Sequence, residues 1–278
     1  MRTKPSIAIV GPGKLGTALA LLLREAGYPI AAVVGGSRRR AQKLARQVGA
    51  RGAHLSAADV VWFSVPDSNI ARAAQDLAGK LSWKGRAALH SSGALTSDEL
   101  DVLRRKGAAV ASAHPLMTFV RGARPPLAGV PFAVEGDSSA ARVAEAIIRD
   151  LGGKAHRIAK RDKTAYHAWA TFASPLLTAL LATTERVAGI AGVKGKAARK
   201  RMTPILLETL SNYVALGAAN GFSGPILRGD VETVRGHLRV LHNASPARAV
   251  YAALARAALE YLPAKNRSSL RQLLGSGR

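Results

Sequence analysis

Gly11-Pro12-Gly13-Lys14-Leu15-Gly16 sets three glycines in a GxGxxG spacing, directly after the apolar run Ser6–Val10 and before a helical pattern. In that context the first glycine permits a tight turn. The second lets the backbone approach a pyrophosphate, and the third lets helix and strand pack closely. The anion would then rest on the free N–H groups of the helix start, at Lys14 and Leu15. Read alone, the same glycines also suit an ordinary strand–helix turn. The next strand ends in Val34-Gly35-Gly36-Ser37-Arg38-Arg39-Arg40, with no carboxylate to bond a ribose 2′-hydroxyl. Ser37, Arg38 and Arg39 can instead hold a 2′-phosphate. At roughly 1.5–3 kcal/mol per charge-assisted bond, two such contacts favour NADPH over NADH about a hundredfold or more. Without a ligand these arginines would simply open a solvated helix.

Other polar clusters close further strands. Ser64-Val65-Pro66-Asp67 is one, and Pro66 stiffens a turn beside the expected cofactor. His90-Ser91-Ser92-Gly93 and Ser112-Ala113-His114 are two more. Strand C-termini form the ligand side of an open α/β sheet, so Ser91, Ser92 and His114 are candidate substrate contacts beside the nicotinamide. A histidine in such a place is also often a satisfied structural residue. Lys163 and His167 are four apart at the start of a helix and share a face. A lysine ammonium or an imidazolium can donate to a carbonyl oxygen as hydride reaches its carbon, which makes this pair the candidate catalytic residues. Arg228, in Ser223-Gly224-Pro225-Ile226-Leu227-Arg228-Gly229-Asp230, can grip a substrate carboxylate. Asp230 sits where the cap of the following helix is expected.

The elements that position these residues follow from periodicity. Short apolar runs at Ser6–Val10, Ile30–Val34, Val60–Val65, Ala87–His90, Ala109–Ala113 and Phe132–Glu135 alternate with helical patterns. This alternation predicts a parallel sheet with helices on both faces. From residue 160 onward only helical periods remain, at Lys163–Ile190, Ala197–Ala219, Asp230–Leu241, Ala247–Tyr261 and Ser268–Leu274. The expected fold class is therefore α/β, an N-terminal doubly wound Rossmann domain (1–159) followed by an all-α C-terminal domain (160–278). The helix from Lys163 is apolar nearly all round, so burial on every side is expected, with a second subunit contributing.

Composition bounds the function. The chain has 278 residues, 48% hydrophobic, with no cysteine. That excludes a thiol nucleophile, a disulfide framework and a Cys-ligated zinc; no metal site is expected. Lys+Arg 41 against Asp+Glu 17 gives a formal charge of +24, a field that favours anionic partners. The basic residues are spread along the chain and aromatics are only 5%, so a nucleic-acid module is disfavoured. Ala168–Thr184 is nearly apolar but is interrupted by Ser174-Pro175 and three threonines. It reads as a core helix and not as a membrane span. The first apolar run is too short for a signal peptide, and a cytoplasmic location is expected.

The strings GPGKLG, SVPD, LHSSGAL, SAHPLMTF, PFAVEGD, KTAYHAWATFAS and SGPILRGDVETVRGHL occur in that order. Together they resemble a family of Rossmann-like oxidoreductases with a helical companion domain of unknown function. That family is similar in plan to pyrroline-carboxylate reductase and the 6-phosphogluconate dehydrogenase superfamily. The resemblance covers the chain to about residue 260 and implies NADP(H) use, a homodimer through the C-terminal domain and a site between domains; Arg228 and the basic field point to a small anionic substrate. Some relatives are linked to ketopantoate reduction. The expected function is thus an NADPH-dependent reductase of a small carboxylate-bearing carbonyl compound. Reduction of a cyclic imine, or non-catalytic sensing of NADP(H), are the alternatives. Two departures stand out. Pro175 follows Ser174 where relatives often carry asparagine, and His167 stands where a Lys-x-x-x-Asn pattern would put an asparagine.

Overall fold

The computed structural model describes residues 4–50, 55–120, 122 and 125–275. The chain divides into two compact units, 1–172 and 173–278. In the first, β1 (Ile7–Val10), α1 (Lys14–Glu25), β2 (Ile30–Val34) and α2 (Arg38–Gln47) lead to β3 (Val60–Phe63), α3 (Ile70–Leu77) and β4 (Ala87–His90). Then come α4 (Asp101–Arg104), β5 (Ala109–Pro115), β6 (Pro131–Gly136), α5 (Ser138–Asp150), β7 (Lys154–Arg157) and α6 (Lys163–Thr171). The seven strands lie in the order β2-β1-β3-β4-β5-β6-β7.

Successive side chains of a strand point to opposite faces, and here both faces are covered. Ile7, Ile9, Trp62 and Leu89 enter one core with Leu19, Leu23, Leu44, Ile147 and Ile148 of α1, α2 and α5. Ala8, Val10, Val61, Phe63 and Val110 enter the other with Ile70, Leu77, Leu100 and Leu103. This is the doubly wound arrangement, and burial on both sides explains the unbroken apolar runs. Since β1 pairs with β2 on one side and β3 on the other, the chain reverses direction across the sheet at β1. Ligands of such sheets bind at that crevice, beyond the strand C-termini.

Two expectations about the sheet need correction, and one strand was not foreseen. The sheet is not wholly parallel, because β5 and β6 pair antiparallel. Among the described residues between them there is no crossover helix, and a parallel pair requires a long crossover connection. The run expected as a strand over Val60–Val65 stops at Phe63, and Pro66 opens a 3-10 turn at Asp67–Asn69. The edge strand β7 escapes the periodicity because Lys154-Ala155-His156-Arg157 is mostly exposed and polar.

The second unit contains α7 (Leu177–Ile190), α8 (Gly195–Gly221), α9 (Pro225–Arg228), α10 (Val231–Val240), α11 (Ser245–Tyr261) and α12 (Arg267–Gly275). Its core is built by Val234, Leu238, Ala255, Leu259, Leu270 and Leu274 of the last three helices. The single long helix expected over Lys163–Ile190 is interrupted by a π turn, Phe172–Leu176, containing Pro175. Proline has no N–H and its ring crowds the carbonyl four residues back, and a wider turn accommodates both. Nor is that helix buried on all sides: no residue of α7 is buried within this chain, and α8 buries only Ala198. Among the described residues no single helix is long and apolar enough to cross a membrane, although 160–190 and 195–228 pass that test as a bent pair.

Candidate functional site

The turn after β1 is a cradle made of backbone. Gly11 takes φ +103°, and a Cβ there would lie 2.8 Å from both the Ser64 carbonyl oxygen and Val65 Cγ1. A Cβ on Gly16 would lie 2.0 Å from the Gly11 carbonyl oxygen and 3.1 Å from Ser64 Cβ. A Cβ on exposed Gly13 would meet nothing closer than 3.8 Å. Gly13 is the N-cap of α1 and no side chain caps that helix. Its first helical bond is Thr17 N–H to Gly13 O, so the N–H groups of Lys14, Leu15 and Gly16 stand ahead of it. Ser64 Oγ, packed against this turn, is buried and has no hydrogen-bond partner. A pyrophosphate fits here: its oxygens would meet the free N–H groups at the positive end of the helix.

At the end of β2, Gly35 and Gly36 take positive φ. The Ser37 hydroxyl caps α2 by accepting the Arg40 N–H at 3.4 Å. Arg38 and Arg39 are exposed, and neither is in an ion pair among the described residues. Pro66 lies beyond Val65, at the head of the 3-10 turn.

The second cluster gathers around Lys163, whose residue is 1% exposed. Its ammonium donates to the Ser92 carbonyl oxygen at 2.9 Å and to Ser112 Oγ at 2.5 Å. Burial pulls its pKa down to about 8 despite the opposing pull of Glu135 and Asp67. Glu135 is itself buried on β6, across from Ser112, and accepts bonds from the Ser97 N–H and hydroxyl. His114 and His167 meet edge-on with ring centroids 5.9 Å apart, and Tyr166 meets His114 the same way at 5.8 Å. Burial, then Lys163 and His167, hold the His114 imidazole down at about 4, so it is neutral near pH 7.

The neighbouring polar groups have structural work. Ser91 Oγ accepts from Trp62 Nε1 at 2.8 Å. Ser92 Oγ donates to Asp67 and accepts the N–H groups of Ala94 and Leu95. His90 Nδ1 accepts the Ser92 N–H while Nε2 faces the Thr96 carbonyl. These bonds set the shape of the 90–96 turn, and that turn presents the Ser92 carbonyl to Lys163. The structure therefore brings Ser92, His114, Lys163 and His167 into one cluster and gives the hydroxyls of Ser91 and Ser92 partners inside the protein. Arg228 lies in the second unit, where Asp230 accepts its guanidinium at 2.8 Å. Asp230 makes no side-chain cap, contrary to expectation, because the charge-assisted bond to Arg228 is the stronger claim on its carboxylate.

Sequence reasoning passed over Gly93, Ser112, Glu135 and Tyr166, although each lies inside or beside a quoted motif. Gly93 has the sharpest consequence. A Cβ there would lie 2.5 Å from His167 Cδ2 and 2.9 Å from His114 Nε2, so Gly93→Ala must displace both imidazoles.

Residues 1–115 match the Rossmann-like domain, and residues 130–258 match the family described as domain of unknown function DUF2520. No curated protein sequence matches the chain. Solved structures do. A Bacteroides fragilis protein provisionally named an NADP oxidoreductase is 21% identical, with TM-score 0.78 over 92% of this chain and 98% of that one. An imine reductase from Myxococcus stipitatus in complex with NADP+ is 15% identical, with TM-score 0.69 over 97% and 100%. A pyrroline-5-carboxylate reductase from Coxiella burnetii is 16% identical, with TM-score 0.58 over 97% and 98%. At these identities the likeness is one of fold. In this chain a stretch similar to the Rossmann-like domain is followed by one similar to DUF2520.

Proposed function

We propose that the protein is an NADPH-dependent reductase of a small carboxylate-bearing carbonyl compound, of which ketopantoate is one. The observation that carries this reading is the coincidence of two features at one sheet edge. One is a glycine cradle with an orphaned serine hydroxyl; the other is a buried lysine bonded beside a neutral histidine. The oxidoreductase, NADP+ complex and reductase named above support it. Bound over residues 11–16, NADPH supplies a hydride.

The chain's own residues supply binding, charge and position. Ser37, Arg38 and Arg39 hold the 2′-phosphate, and Val65 and Pro66 wall the cofactor. Lys163 has three N–H donors, two already engaged, and the third is directed to the developing negative charge on oxygen. His167 packs against His114 and fixes its placement. Arg228 grips the carboxylate. The net positive field recruits both anions.

The proposal includes a homodimer in the cytoplasm. Its support is the apolar surface of α8, where Ile205, Leu207, Leu210, Tyr213, Val214 and Leu216 are all exposed. Reduction of a cyclic imine is the second reading, favoured by the imine and pyrroline-5-carboxylate reductase likenesses. The test is NADPH oxidation with ketopantoate, other 2-oxo acids and cyclic imines, with NADH alongside. Substrate-dependent turnover that prefers NADPH is expected. Arg38→Ala/Arg39→Ala should erase that preference by a factor of about 100. NADPH binding without turnover across the panel would leave a sensor of NADP(H).

A further inference from the structure

Among the described residues, four buried side-chain atoms have no hydrogen-bond partner: Ser64 Oγ, His114 Nδ1, Tyr166 Oη and Arg248 Nε. Buried polar groups are nearly always paired, and each exception needs a reason. Ser64 belongs to the cofactor cradle. His114 and Tyr166 form a pair, since their rings touch edge-on with centroids 5.8 Å apart. His114 stands at the C-terminal end of β5, on the side where this fold takes its ligands. Around them much of the polar network is engaged: both His90 nitrogens, the hydroxyls of Ser91, Ser92 and Ser112, the Glu135 carboxylate and the Lys163 ammonium. Two unpaired groups side by side in a network otherwise so well bonded point to a ligand that completes them.

We infer that Tyr166 Oη and His114 Nδ1 are a two-point polar contact for the reacting oxygen or nitrogen of the substrate, with the tyrosine hydroxyl as donor. Burial pushes the Tyr166 phenol up, which keeps its proton in place as a donor. The inference rests on the reductase reading and adds Tyr166 to the residues that touch substrate.

Tyr166→Phe removes only the hydroxyl and keeps the ring contacts to His114 and to Trp169, whose centroid is 5.7 Å away. A hydroxyl that serves the fold would be missed on melting. One that waits for a ligand is a desolvated group without compensation, and its loss is neutral or stabilising. The expected result is a Tm equal to or above wild type, an NADPH Kd within about twofold, and a kcat/KM lower by about ten- to a hundredfold. His114→Gln, which keeps a neutral hydrogen-bonding side chain, should retain more activity than His114→Leu at similar Tm. Unchanged kcat/KM in Tyr166→Phe overturns the inference alone, as does a lowered Tm, because the hydroxyl would then have a partner in the fold. A wild-type protein inactive over the whole panel overturns the reductase reading and this inference together.

Discussion

Gly16→Ala is expected to abolish measurable NADPH binding, an affinity loss of more than about a hundredfold, whereas Gly13→Ala folds normally and loses affinity only. The contrast lies in what a methyl group meets. On Gly16 it would fall 2.0 Å from the Gly11 carbonyl oxygen. That oxygen is backbone, in a turn pinned by Gly11 N–H to Val34 O and Ser64 N–H to Val10 O. No rotamer relieves the clash, so β1, β3 and α1 must part. Overpacking of this kind costs about 1–3 kcal/mol and moves the N–H groups that face the anion. On Gly13 the nearest atom is 3.8 Å away, so alanine fits the free protein. It intrudes only where a pyrophosphate would approach. Titration of NADPH fluorescence and thermal melts of both variants check this. A Gly16→Ala protein that binds NADPH as wild type does would refute the cradle.

A second large effect is acid lability. His90 and His114 are held at about 4, mainly by burial, against roughly 6.5 in an unfolded chain. The unfolded state therefore binds more protons than the folded state between these values, and stability falls as pH falls through that window. Each imidazole contributes on the order of 2–3 kcal/mol at pH 4, a large part of a typical folding free energy. Lys163 acts on the alkaline side. Its folded pKa of about 8 lies below the usual lysine value, so stability rises with pH from about 8 toward 10. Tm measured from pH 4 to 10 should climb steeply to about 6.5, level off, and climb again. In His114→Gln about half of the acid limb should vanish. An acid limb unchanged in that variant would mean that His114 is not the buried titrating group.

The legibility of this chain followed the physics of each element. Strands covered on both faces are largely apolar, so β1 to β6 stood out. The direction of β6 is decided by the absence of a crossover helix, which hydrophobic pattern does not report. β7 is half-polar because it lies at an edge. The glycine fingerprint was readable because its residues are adjacent in sequence. The Lys163 cluster assembles Ser92 from the turn after β4, Ser112 from β5 and Glu135 from β6, all distant in sequence from the lysine, and no spacing rule connects them. His114 and Lys163 were readable as unusual residues in short motifs. The engagement of Ser91 by Trp62 and of Ser92 by Asp67 was not, because hydroxyl groups serve turns and ligands alike.

The strand order also has a temporal side. After β2, which lies beside β1, each new strand is laid against one already synthesised: β3 on β1, then β4, β5, β6 and β7 in succession. A chain emerging from the ribosome can therefore extend its sheet strand by strand, with no gap reserved for a late insertion. Lys163 comes last, after all seven strands. Until it emerges, the Ser92 carbonyl and Ser112 hydroxyl lack the donor they share, and buried Glu135 lacks a nearby cation. A nascent chain stopped short of residue 163 would hold a formed sheet with an unfinished binding edge.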